Sequence, residues 1–156
     1  MNNRSVPTNT ILPHVIYRKL PEAIAWLTSV FGFMEHYRYG DPSSPSGAQM
    51  RAGQAWIMVR DARGSGRAPA ELGYGTQSLT IFIDDVENHY AHTQAAGAKI
   101  VEEPHVTEYG EFQYAVLDLD GHHWVFSCHA RDADPTSWGA QVTNPNYGAW
   151  QTRPWH

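Results

Sequence analysis

Apolar residues along this chain change their spacing in a set order, and the order occurs twice. Ile11–Tyr17 is rich in β-branched and aromatic residues and predicts a strand. Pro21 then suits a helix's first turn, and Ile24, Leu27, Val30 and Phe31 fall on one helical face. Gly32 predicts the left-handed residue that ends that helix. Phe33–Tyr39 reads as a second strand, Gly40–Gly47 as a turn-rich loop, and Ala48–Arg51 with Ala55–Arg60 as a hairpin. After a small, polar stretch the pattern returns. Ser78–Ile83 is a strand, Asp84 or Asp85 caps a helix that Gly97 stops, and Lys99–Pro104, Phe112–Leu117 and His123–Cys128 follow as strands.

Landmarks recur at an offset of about 66 residues, the mark of one supersecondary unit used twice. Gly53-Gln54-Ala55-Trp56-Ile57-Met58 returns as Gly121-His122-His123-Trp124-Val125-Phe126. Phe31-Gly32-Phe33 returns as Ala96-Gly97-Ala98. The expected class is α+β: a first β-α-β-β-β module over residues 10–60, a linker over 61–76, a second module over 77–129, and a tail over 130–156. Trp56 and Trp124 are expected in matching core environments. Trp138, Tyr147, Trp150 and Trp155 mark the tail as a segment that docks on a surface.

Composition narrows the partners. At 156 residues and 42% hydrophobic, with a net charge of −5 and no basic cluster, the chain reads as one folded unit that does not bind nucleic acid. A lone Cys128 leaves no intrachain disulfide and no Cys-rich zinc site. No apolar run approaches the roughly 18 residues of a membrane span, and Met1–Thr10 lacks a signal peptide's apolar centre, so no membrane partner and a cytoplasmic location are expected.

Two β-α-β-β-β modules, Phe31-Gly32 after the first helix, Tyr109-Gly110-Glu111, and the turn Asp118-Leu119-Asp120-Gly121-His122-His123-Trp124 resemble the vicinal oxygen chelate superfamily. Within it the chain looks most like the glyoxalase/bleomycin-resistance branch, with the small PhnB-like proteins nearby. The resemblance implies modules curled into half-barrels around a cavity, and usually a homodimer. Metal-dependent members place His or Glu at four positions, which fall here on Leu12, Ile57, Ser78 and Val125. Three of these are aliphatic and offer a metal no lone pair, and the Ser78 hydroxyl binds divalent metals poorly, so no cofactor is expected. The alternative is a divalent metal at a displaced site built on His14 and His123.

Candidate ligand-binding residues come from strand alternation. His14, Thr80, His123 and Ser127 share the faces expected to curl inward. Tyr109, Phe112 and Tyr114 gather at the second module's lip, where rings stack on a planar ligand, and Gln113 offers a hydrogen bond. Asp118 and Asp120 are expected to bond backbone amides of their own turn. His89 and His92 read as an exposed helix face. The resulting expectation is a metal-free protein that binds an aromatic or amphipathic small molecule, possibly an antibiotic. The competing classes are a lyase, isomerase or dioxygenase using His14 and His123, and an accessory protein that docks through its tail.

Overall fold

In the computed structural model, residues 3–7, 11–64 and 66–144 are described. The first module runs β1 (His14–Tyr17), α1 (Leu20–Phe31), β2 (Met34–Asp41), β3 (Ser44–Ala52) and β4 (Ala55–Asp61). A short helix α2 (Pro69–Leu72) interrupts the connection. The second module runs β5 (Ser78–Phe82), α3 (Val86–Ala95), β6 (Lys99–Val106), β7 (Glu111–Leu117) and β8 (His123–His129). Each module makes a four-stranded mixed sheet of the same order, β1-β4-β3-β2 and β5-β8-β7-β6, with its first strand parallel to its last. The α+β architecture of two β-α-β-β-β modules therefore stands.

Three local departures have physical causes. The stretch over residues 40–47 is not a loop: Asp41 accepts from the Ser43 amide at 2.8 Å and hydroxyl at 2.7 Å, which tightens the turn and lets β2 and β3 run almost to its tip. Gly47 can join β3 because the Tyr39 ring lies across it, only 2.3 Å from where a Cβ would sit. The linker is partly ordered, since Ala68 is fully buried and the Ala70 amide donates to the Asp120 carbonyl at 2.9 Å. Of the tail, Pro135–Trp138 forms a 3₁₀ turn; Tyr147, Trp150 and Trp155 lie outside the described residues.

One face of each sheet carries its module's helix, and these covered faces meet in a single core. Phe31, the last residue of α1, packs edge-on to Trp124 at 6.0 Å and to Phe126 at 5.0 Å from the other module. A helix end leaves carbonyls without intrahelical partners. Here the Leu27 and Thr28 carbonyls accept from the Phe33 and Gly32 amides. Those of Ser29, Val30 and Phe31 are met by His92 Nε2 at 2.8 Å, Thr93 Oγ1 at 3.4 Å and His89 Nε2 at 2.9 Å. His89 is thus no exposed helix residue: half-buried, it closes the end of α1 across the module boundary. Burial lowers its pKa, an effect that the bond to Phe31 partly opposes.

The β7–β8 turn forms a second clasp. Asp118 Oδ1 accepts from the Asp120 and His122 amides, as expected for a turn carboxylate. Its Oδ2 accepts from Trp124 Nε1 at 2.9 Å and, across the modules, from Tyr17 OH at 2.7 Å. Asp120 holds Arg18 through the backbone amide and the guanidinium, and His122 Nε2 donates to the Ile16 carbonyl at 2.6 Å.

Candidate functional site

With the helix-covered faces consumed by the core, the opposite faces of the two sheets remain open. Strand register assigns residues to them. On the first sheet His14 lies opposite Met58, Gln49 opposite Met58 from the other side, and Arg51 opposite Trp56. On the second, Thr80 lies opposite Val125, and Gln113 opposite Ser127. Residues between these face the core: Val15, Ile57, Val59, Ile81, Tyr114, Trp124 and Phe126 are all at most 5% exposed.

This register corrects the expected match of the two tryptophans. Helices starting at Leu20 and Val86 set His14 against Thr80, so Met58 answers to Val125 and Trp56 answers to His123. The repeated Gly-x-x-Trp pattern is one residue out of step with the sheets, and a one-residue slip exchanges faces. Trp124 is fully buried, whereas Trp56 stands half-buried on the open face with its ring 5.6 Å from His36.

The same correction moves one metal-level position. Ile57 points into the core, and the open-face residue at that level is Met58. Leu12, Met58, Ser78 and Val125 still present no imidazole or carboxylate, so the donor set does not fit a zinc, nickel or iron ion of the family's usual kind. Among the described residues no group of three or more His, Cys, Asp or Glu is placed to hold a metal.

The expected ligand-binding residues separate into three groups. Thr80, Gln113, His123 and Ser127 do share the open face of the second sheet. Ser127 is buried and donates to Glu111 Oε2 at 3.0 Å, and the exposed His129 reaches Glu111 Oε1 at 2.6 Å. His123 stands apart: its Nδ1 is buried with no hydrogen-bond partner among the described residues. It borders a hollow of about 560 Å³ roofed by Pro69, Ala70 and the Gly73–Gly75 loop. His14 is exposed on the first sheet and lines a smaller hollow of about 110 Å³ with Ile16 and His122. Tyr74, Gly75 and Gln77 border both hollows, which therefore adjoin, with His123 lining one and His14 the other. Tyr109 lies at the rim, its ring 5.8 Å from Trp138, beside Glu111 and Arg131.

Phe112 and Tyr114 are corrections. Both alternate onto the helix-covered face, and Phe112 packs against the core. Tyr114 is fully buried, its hydroxyl 2.7 Å from His89 Nδ1 and 3.1 Å from Thr93 Oγ1, and burial pushes its pKa up to about 12. Neither ring meets a ligand on the open side. Sequence reasoning missed residues of the first sheet instead: Trp56, Gln49, Tyr37 and His36. The irregularity between Glu35 and Tyr37 hides the parity of β2, while Trp56 was within reach by counting from His14 through the helix start rather than by matching tryptophans.

This arrangement has known counterparts. The family model for the Glyoxalase/Bleomycin resistance protein/Dioxygenase superfamily matches residues 10–126. The chain belongs to that superfamily. Its structure resembles TioX from Micromonospora sp. ML1, with 29% identity, a TM-score of 0.66, and 78% of this chain and 98% of that one covered. It also resembles a bleomycin resistance determinant encoded on the transposon Tn5, at 17% identity and TM-score 0.62 over 80% of this chain and 100% of that one. A lactoylglutathione lyase from Agrobacterium tumefaciens gives 18% identity and TM-score 0.58 over 78% and 93%. A comparison with curated proteins found no match. A resistance determinant and a lyase thus share this superfamily fold, so function must be argued from the site. No helix among the described residues is long and apolar enough to cross a membrane.

Proposed function

We propose that this member of the superfamily captures an aromatic or amphipathic small molecule on its open sheet faces, without a metal, and that two copies pair to close those faces. The observation that carries the reading is the composition of those faces. Buried polar side chains (Gln49, Gln113, Ser127) stand among Trp56, Met58 and Val125, while the metal-level positions offer no imidazole or carboxylate. Aromatic and aliphatic walls with a few fixed polar groups are what a drug-sized ligand requires. Sequestration needs no reaction, because binding alone lowers the free concentration of an antibiotic.

The test is a thermal-shift screen of antibiotics and amphipathic metabolites, run beside metal analysis of protein purified without chelator. A ligand at one hundred times its Kd stabilises by about 2.7 kcal/mol, equivalent to roughly 5–11 °C for a chain of this size. Near-stoichiometric zinc, nickel, iron or manganese, with no compound raising Tm, would overturn the reading in favour of a metal enzyme. Light scattering should give twice the 17.5 kDa chain mass, and a monomer at micromolar concentration would refute pairing.

One observation favours a second, enzymatic reading. Nδ1 of His123, without a partner among the described residues and beside a hollow of about 560 Å³, is placed as an acid or base would be. A compound that is consumed rather than retained, with turnover lost in His123→Phe, would establish it.

A further inference from the structure

On the open face of the first sheet, two hydrogen-bond donors converge on one oxygen. Tyr37 OH donates to the Ser5 carbonyl at 2.7 Å, and Gln49 Nε2 donates to the same oxygen at 3.1 Å. Ser5 is far from both in sequence and belongs to no strand or helix. Gln49 is 2% exposed, yet its amide is not free to turn: Oε1 accepts from His36 Nδ1 at 2.9 Å, which leaves Nε2 directed at the niche. The same Nε2 lies 3.4 Å from the Tyr37 hydroxyl oxygen and 3.8 Å from Met58 Sδ. Rings wall the niche, with His36 5.1 Å from Tyr37 and 5.6 Å from Trp56.

We infer that Tyr37, Gln49 and the rings beside them form a carbonyl-recognition niche, and that residues 3–7 fill it with the Ser5 carbonyl until a ligand displaces them. The ligand class follows from the donors. Two neutral donors on one oxygen select a neutral acceptor, and the neighbouring rings select a flat aromatic body, so an aromatic amide or ketone fits. A buried glutamine needs its donor satisfied, and the backbone carbonyl of the chain's own segment supplies the partner meanwhile. The niche would then open only to a molecule that replaces both bonds, because an apolar ring alone would take the shared acceptor from the Tyr37 hydroxyl and leave Gln49 Nε2 only its longer contacts to Tyr37 and Met58. This inference rests on the binding reading above and names the chemistry of the first sheet's share of it.

The test titrates isotope-labelled full-length chain with 2-naphthamide and, separately, with naphthalene, following backbone amide resonances. With 2-naphthamide, the Ser5 and Val6 resonances should move to the positions of a free peptide as those of Tyr37 and Gln49 shift. Naphthalene should leave Ser5 and Val6 in place. Tyr37→Phe takes one bond from the Ser5 carbonyl and from the ligand alike, so it should move the Ser5 and Val6 resonances toward free-peptide positions with no probe present and change 2-naphthamide affinity by less than about threefold. Binding of 2-naphthamide that leaves Ser5 and Val6 unmoved overturns the inference, as does a Tyr37→Phe variant whose Ser5 and Val6 resonances keep their wild-type positions without a probe. If both compounds perturb only the second sheet, around His123 and Ser127, the inference fails while the binding reading stands. If neither binds the protein, the inference fails, and the antibiotic screen separately decides the binding reading.

Discussion

His89 offers the sharpest check on how the two modules are joined, because sequence and structure predict opposite outcomes for its removal. On an exposed helix face, His89→Ala would change stability by no more than about 0.5 kcal/mol. In the structure the ring donates to the Phe31 carbonyl, reaches Tyr114 OH and packs in a tilted pair with Phe126, centroids 4.1 Å apart. Two neutral hydrogen bonds contribute about 0.5–1.5 kcal/mol each, and a well-placed ring pair about 0.5–1.5 kcal/mol more. The expected loss is therefore about 1.5–4.5 kcal/mol. The assay is urea unfolding at fixed protein concentration, with His105→Ala on the exposed part of β6 as the control. The wild-type pH dependence is diagnostic too. Burial depresses the His89 pKa in the folded state, so its contribution is complete above the unfolded value near 6.5 and is lost as pH falls below it. His89→Ala should remove that part of the acid sensitivity. A loss under about 1 kcal/mol, with an unchanged pH profile below 6.5, would refute the module junction described here.

The remaining predictions probe the turn, the sheet face and the orphaned nitrogen. Asp118→Ala strips acceptors from Tyr17, Trp124 and two backbone amides and should cost about 3–5 kcal/mol, read by thermal unfolding with loss of near-ultraviolet dichroism. Gly53→Ala should cost about 1–3 kcal/mol by the same scan: the residue sits at φ 59° and an added Cβ would lie 3.0 Å from the Phe82 carbonyl. His123→Leu should leave stability unchanged or raise it slightly, since it removes a buried polar atom that has no partner among the described residues, while weakening any ligand bound in the adjoining hollow. A destabilisation of 2 kcal/mol or more there, on the scale of a buried hydrogen bond or two, would mean that the Nδ1 bond is made within the protein.

Most of the architecture was legible along the chain, because it depends on short-range rules. The helix that Gly32 ends, Asp85 accepting from the Asn88 amide, and the β-strand alternation around Trp124 are all local consequences of residue type. The doubled order of elements followed from the repeat, and the family resemblance carried by the Asp118–Trp124 turn agreed with it. What misled was parity. Trp56 and Trp124 look equivalent in a sequence that counts residues from glycines, whereas the sheets count from paired strands, and the two counts differ by one. Phe112 and Tyr114 were expected at the second module's lip from their nearness to the Gly110 loop, but alternation along β7 turns both to the helix-covered face, while Thr80, Gln113, His123 and Ser127 fell on one open face together.

The sequence by itself determined the period of each segment, its stops, and so the pair of β-α-β-β-β modules. Only the tertiary structure decided how the modules meet. No local rule links His89, His92 and Thr93 to carbonyls about sixty residues away. Nor does any local rule bring Ser5 to Tyr37 and Gln49, or leave His123 Nδ1 without a partner among the described residues. Those contacts depend on which sheet faces the core consumes, a competition among all the buried side chains that no single segment encodes.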